Sequence, residues 1–181
     1  MAAPHRFVAL LRAINVGGLA TVKMADLRAE FESLGLTEVK TYLQTGNVLF
    51  ASKDGDARRI AERLEKKLGS SLGYRGLVFV LSREELKRAA QKNPFDPERL
   101  DADQRCHLMF LSGEPDSAHR KALMAVQGDE YRFAIRDKVL YYAYSRTFEG
   151  GRRTINFEKI LGVAGTSRSW TVVKKLIELM E

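Results

Sequence analysis

VKTYLQTGNVLF, from Val39 to Phe50, decides how this chain folds. Val39 to Leu43 and Val48 to Phe50 are short β-prone runs, and Thr45-Gly46-Asn47 between them is a turn signal, so the stretch reads as a β-hairpin. Upstream, Met24, Leu27, Phe31 and Leu34 recur at helical spacing and Gly35 stands where a C-cap belongs. Before that helix, Asn15-Val16-Gly17-Gly18 breaks a continuous apolar run, Phe7 to Leu11, which reads as a strand. Downstream of the hairpin, Ile60, Ala61, Leu64 and Leu68 form an apolar stripe, with Glu62 and Lys66 paired on the solvent side. Gly69 and Gly73 flank the exit, and Leu77 to Leu81 is a fourth strand. The first eighty or so residues therefore read β-α-β-β-α-β, the split β-α-β order of ferredoxin-like domains.

Ser82 and Glu85 form a capping box, so a linking helix carrying Leu86, Ala89 and Ala90 starts there and stops before Pro94. The Pro-containing loop from Asn93 to Asp103 separates a first half, residues 1–92, from a second, residues 93–181. The second half repeats the order. Cys106 to Leu111 is a strand, Ala118 to Val126 a helix ended by Gly128, and Tyr131 to Ile135 and Val139 to Tyr144 a hairpin turning at Asp137-Lys138. A basic loop follows, then a short helical segment around Phe157 to Leu161. A final helix carries Val172, Val173, Leu176, Ile177 and Met180, with Thr166 as its N-cap and Arg168 in its first turn. This half reads β-α-β-β-α with no closing strand. The expectation is an α+β fold of two ferredoxin-like halves packed together, with mostly antiparallel sheets.

Phe7–Leu11 and Leu77–Leu81 do not alternate apolar with polar residues. Continuous apolar strands are covered on both faces, by the other half or by a partner subunit. That argues against an open sheet that reads single-stranded RNA through exposed aromatics.

The chain has 181 residues, 45% hydrophobic and 29% charged, which are ordinary globular values. No apolar run reaches membrane-spanning length, and MAAPHRF at the N-terminus lacks the apolar core of a secretory signal. Cys106 is the single cysteine, which suits a reducing compartment, so the cytoplasm is the expected location. The net charge of +7 biases the chain toward anionic partners. Between Ser145 and Lys175 the seven cations Arg146, Arg152, Arg153, Lys159, Arg168, Lys174 and Lys175 face only Glu149 and Glu158.

Familiar catalytic and cofactor motifs are missing. There is no Walker-type Gly-Lys-Ser/Thr loop, no Gly-x-Ser-x-Gly elbow and no zinc spacing among His5, His107, His119 and Cys106. Neither cofactor nor metal is expected. Cys106 and His107 adjoin on one strand and point to opposite faces, which argues against a nucleophilic pair and for a structural histidine and a buried thiol. No paired carboxylates or placed histidine supply a general base, so the sequence does not say whether the chain is an enzyme.

Three polar segments remain. Arg12 to Gly18, with Lys23 beyond, is a glycine-rich strand-to-helix junction: an anion cradle, or a loop that needs positive φ at its glycines. Gln44 to Asn47 is a hairpin turn whose amides either close the turn or face a ligand. Gly165 to Thr171 opens the last helix, whose N-terminus favours anions. Arg168 there opposes the helix dipole, which points to a ligand or an ion pair. Trp170, the lone tryptophan, is core or a wall of a site.

ALLRAINVGG, TYLQTGNVLF, NPF at Asn93–Phe95 and TSRSWTVVKKL together resemble the signature blocks of the bacterial family known as domain of unknown function 1697. The resemblance runs from near the first strand to the last helix. It implies two ferredoxin-like halves and no established activity. The family pattern has Gly where Ala13 stands, a difference of little consequence if the backbone there is extended. It has Asn where Ser169 stands, which alters a ligand site or only changes support for the turn. The blocks group Arg12, Asn15, Gly17, Gly18, Gln44, Asn47, Thr166 and Arg168, to which Lys23 beyond the first block is added, as a candidate polar, net-positive site. Three readings follow: a site for a small phosphate- or carboxylate-bearing ligand, nucleic-acid binding through the basic C-terminal surface, and a ligand-free self-association module built on an apolar sheet face. The oligomeric state is open and no membrane partner is expected.

Overall fold

Strand β1 (His5–Leu11) puts Phe7, Ala9 and Leu11 on one face and Val8 and Leu10 on the other, and all five are buried. The computed structural model describes residues 4–15, 22–100, 104–128, 131–145 and 155–181. After α1 (Met24–Ser33) come the hairpin strands β2 (Thr37–Tyr42) and β3 (Asn47–Ser52), then α2 (Ala57–Leu72) and β4 (Val78–Ser82). They form a four-stranded antiparallel sheet in the order β2-β3-β1-β4. Strand β3 is buried along its whole length. Edge strand β2 is different: it is largely exposed and carries Glu38 and Lys40, with a register shift at a left-handed Glu38 (φ 53°). Charge and a bulge on an edge strand discourage pairing with another chain.

Helix α2 forms because Ile60, Leu64 and Leu68 recur on one face, and all three are buried against Phe7, Phe31, Val48 and Phe50. Each such side chain contributes about 1.5–3 kcal/mol on burial. Asp56 caps the start by accepting from Arg59 N, and Gly73 ends the helix in the left-handed conformation (φ 66°).

Helix α3 (Arg83–Gln91) begins with the predicted capping box: Ser82 N donates to Glu85 Oε2 and Glu85 N donates to Ser82 Oγ. The second sheet contains β5 (Gln104–Leu111), β6 (Tyr131–Arg136), β7 (Val139–Ser145) and β8 (Gly165–Ser169), in the order β6-β7-β5-β8 and again antiparallel. Helices α4 (Ser117–Ala125) and α5 (Phe157–Leu161) and the final α6 (Trp170–Leu179) complete the chain. The described residues thus make an α+β fold of two four-stranded antiparallel sheets and six α-helices.

Strand β8 corrects the sequence reading, which left the second half without a closing strand and placed Thr166 and Arg168 at a helix start. Gly165–Ser169 pairs with β5 from Leu111↔Gly165 to His107↔Ser169, so the second sheet has the same strand order as the first. The segment is short and polar, and its ladder partner lies more than fifty residues upstream, so no local pattern marks it as a strand. Gly165 is required there: a Cβ would sit 2.6 Å from Met109 Cε and 2.9 Å from Phe110 O. The cap of α6 comes from Ser169, whose Oγ accepts from Val172 N.

The chain divides into unit 1, Met1–Arg88 with Lys175–Glu181, and unit 2, Ala89–Lys174. In unit 2, Met109, Leu111, Leu123, Tyr131, Phe133, Leu140, Tyr142 and Leu161 form a core. Among the described residues, the exposed large hydrophobics are Leu43, Met124 and Leu179, none of them in a strand. Among the described strand residues, no large hydrophobic is exposed to support the self-association reading.

Candidate functional site

Strand β1 ends at Leu11, and the next four residues turn sharply with Ala13 (φ 55°) and Asn15 (φ 56°) both left-handed. The Asn15 carboxamide secures this turn. Its Oδ1 accepts from Val22 N at 2.8 Å, and its Nδ2 donates to Val22 O and Gln44 O. The β2–β3 hairpin turn packs directly against it. Leu11 N donates to Gly46 O at 2.8 Å, and a Cβ on Gly46 would lie 2.5 Å from Ile14 Cγ2 and 2.9 Å from Leu11 Cβ.

A third segment, residues 72–76 between α2 and β4, completes the corner. The Tyr74 hydroxyl lies 2.8 Å from Arg12 O and 3.0 Å from Leu77 O, and Arg12 N also donates to Leu77 O. Gly76 makes room for this: a Cβ there would collide with the Tyr74 hydroxyl and sit 2.5 Å from Arg12 O. Between the segments lies a cleft of about 380 Å³, lined by residues 12–15 and Val22 on one side and residues 72–76 on the other. Arg12 is half-buried and Arg75 exposed. Among the described residues the lining holds these two arginines and no carboxylate, and Arg75 has no ion pair.

Of the nine residues singled out from sequence, Arg12 and Asn15 line this cleft, and Gln44 adjoins it through its carbonyl. Asn47 is fully buried, and its amide closes the hairpin by donating to Tyr42 O and Thr45 Oγ1. Lys23 is the exposed N-cap residue of α1 and makes no side-chain cap bond. Gly17 and Gly18 lie outside the described residues. Thr166 and Arg168 belong to unit 2, on β8, where the buried Arg168 donates through Nη1 to Thr166 Oγ1 and Ser167 O, each at 2.8 Å. Sequence reasoning missed Leu72, Tyr74, Arg75 and Gly76. The available signal was an aromatic–cation pair between two glycines in a short helix-to-strand loop, where binding residues are often carried.

Ala13 answers the question its departure from the family pattern raised. The backbone there is left-handed, not extended, so glycine has a conformational advantage at this position. Ser169 caps a helix, a role Ser and Asn both fill. The Asn93–Phe95 block pins the linker: Asn93 Oδ1 accepts from Phe95 N, its Nδ2 reaches Cys106 Sγ, and the Arg132 guanidinium stands 5.3 Å from the Phe95 ring centre. Cys106 is buried, and burial pushes its thiol pKa up, the opposite of what a nucleophile needs. His107 faces away from it and stacks on Tyr142 at 5.2 Å and Tyr144 at 5.6 Å.

In the basic C-terminal stretch, Arg146, Arg152 and Arg153 lie outside the described residues. Lys174 pairs with Glu98 at 2.7 Å, Lys175 pairs with Glu178 at 3.0 Å, and Arg168 is buried. Among the described residues no helix is long and apolar enough to cross a membrane, and no group of three His, Cys, Asp or Glu side chains is placed to hold a metal ion.

The sequence matches the family described as protein of unknown function DUF1697 over residues 5–141. The chain belongs to the DUF1697 family. No curated protein matches it. Among solved structures it is similar to the conserved bacterial protein SP0830 from Streptococcus pneumoniae, with a TM-score of 0.76 and 23% identity over 99% of this chain and 100% of that one. That likeness shows a shared fold. An unknown protein from Galdieria sulphuraria aligns over 92% of this chain and 99% of its own at 13% identity, and its TM-score of 0.29 carries no argument.

Proposed function

We propose that this DUF1697 chain binds a small anionic ligand in the cleft between the 12–15 turn and the 72–76 loop. One observation carries the reading: among the described residues, two arginines and no carboxylate line the cleft. Guanidinium groups match carboxylate and phosphate oxygens in paired, planar hydrogen bonds. Half-burial of Arg12 lowers the local dielectric and strengthens its pull on an anion. The segments are also preorganised, since Asn15 and Tyr74 hold the backbone through hydrogen bonds to it, which reduces the entropy lost on binding. Among the described residues the lining has neither histidine nor carboxylate placed to move a proton, and the reading is one of binding.

The test is an NMR shift titration with inorganic phosphate. Saturable shifts are expected at the amides of Ala13, Gly73 and Gly76, with affinity reduced about tenfold in Arg75→Ala, the loss of one charge-assisted contact. Phosphate shifts that spare this cleft, or that persist unchanged in both Arg12→Ala and Arg75→Ala, would sink the reading. Nucleic-acid binding gains no comparable observation from the structure, because the described cations of the C-terminal stretch are mostly paired or buried.

A further inference from the structure

We infer that the cleft selects an anion carried on an apolar, ring-sized body, an aryl or alkyl phosphate, over the bare inorganic ion. This rests on the binding reading above and names its ligand class. Beyond the two arginines, the cleft is bordered by Val22, Leu72 and Tyr74. All three are partly buried hydrophobics packed against the unit 1 core. Each therefore keeps apolar surface in contact with water that a ligand body would cover. The volume, about 380 Å³, is several times that of a phosphate ion and lies within the range of about 300–1,000 Å³ typical of organic-ligand sites.

Tyr74 makes this wall rigid. Its hydroxyl is within hydrogen-bond distance of Arg12 O and Leu77 O, and the missing side chain at Gly76 lets it lie there. The same residue thus presents a fixed ring to the ligand and anchors the backbone that carries Arg12. An anionic head between Arg12 and Arg75, with a body against Leu72, Val22 and the Tyr74 ring, uses every kind of surface the cleft offers.

The experiment compares inorganic phosphate, phenyl phosphate and benzyl alcohol by NMR shift titration of the full chain at about pH 8, where both phosphates are dianions. Covering roughly 60 Å² of apolar surface corresponds to about a tenfold gain in affinity, so phenyl phosphate is expected to bind about tenfold more tightly than phosphate, and benzyl alcohol more weakly than either. Leu72→Ser should weaken phenyl phosphate about threefold more than it weakens phosphate. Val22→Thr, which keeps the side-chain shape, should act the same way and serves if Leu72→Ser does not fold. Equal affinity for the two phosphates, or phenyl phosphate shifting residues away from 12–15 and 72–76, overturns the inference while leaving anion binding in place. If neither anion shifts the cleft amides, the binding reading falls, and this inference with it.

Discussion

Ala13 and Gly46 occupy the same left-handed region of backbone space, with φ of 55° and 76°, yet only one is a glycine. An L-residue there pays about 1 kcal/mol or more in steric strain. Ala13 is exposed, so nothing else resists a change. Ala13→Gly is expected to stabilise the fold by about 0.5–1 kcal/mol, read from the urea midpoint, the gain from relieved strain being partly offset by a freer unfolded chain. Gly46→Ala should act in the opposite sense and more strongly, by about 2–3 kcal/mol, because the added carbon meets both Ile14 and Leu11 in addition to the strain. Tyr141 offers a third test. Its buried hydroxyl donates to Ala89 O at 2.7 Å, and burial pushes its pKa up to about 12. Tyr141→Phe orphans that carbonyl and should cost about 1–3 kcal/mol. A folded pKa above the unfolded one means this contribution is whole below about pH 10 and is lost as pH climbs from about 10 toward 12; alkaline denaturation should therefore begin earlier in wild type than a chain without the raised pKa would show. Gly46 was legible in the sequence as a turn residue. Ala13 was not, since nothing local distinguishes a strained alanine from an extended one.

The hairpin, helices α1 and α2 with their exit glycines Gly35 and Gly73, and the Ser82–Glu85 box followed from local chemistry at the level of elements. Strand β8 did not: Gly-Thr-Ser-Arg-Ser is as good a helix entry as a strand, and pairing with β5 decides it. The clamp at the start of α6 is equally non-local. Glu98 Oε1 accepts from Trp170 Nε1 at 2.9 Å and Lys174 Nζ at 2.7 Å, tying the short 3₁₀ turn Pro97–Arg99 to that helix. The hydrogen bond from Lys174, then that from Trp170, hold the Glu98 carboxyl below the ordinary glutamate range. A depressed folded pKa gives stability that is present above the unfolded value, about 4.3, and lost as pH falls through the folded one. The stability gap between wild type and Glu98→Gln, followed by urea denaturation, should accordingly be steady from pH 7 to about 5 and close as the pH drops below about 4. A gap independent of pH would show that the carboxylate charge is not what holds the clamp.

Across the whole molecule, each sheet has two strands paired on both sides, β1 and β3 in the first and β5 and β7 in the second. Their amides should exchange most slowly with deuterium, and those of the exposed edge strand β2 much faster; protection as high in β2 as in β3 would contradict the pairing order. The amino-acid sequence by itself determined the element order of both halves up to β7, the antiparallel hairpins and the burial of β1 on both faces. It could do so because hydrophobic period, turn glycines and caps are properties of neighbours along the chain. It also marked Arg12 and Asn15, which sit in a motif. Tertiary structure alone decided that Gly165–Ser169 closes the second sheet, that Asn47 faces inward to its own turn, and that Tyr74 and Arg75 stand across a cleft from Arg12. Those outcomes depend on groups up to sixty-two residues apart meeting in space, as Tyr74 meets the Arg12 carbonyl, and no local spacing encodes such a meeting.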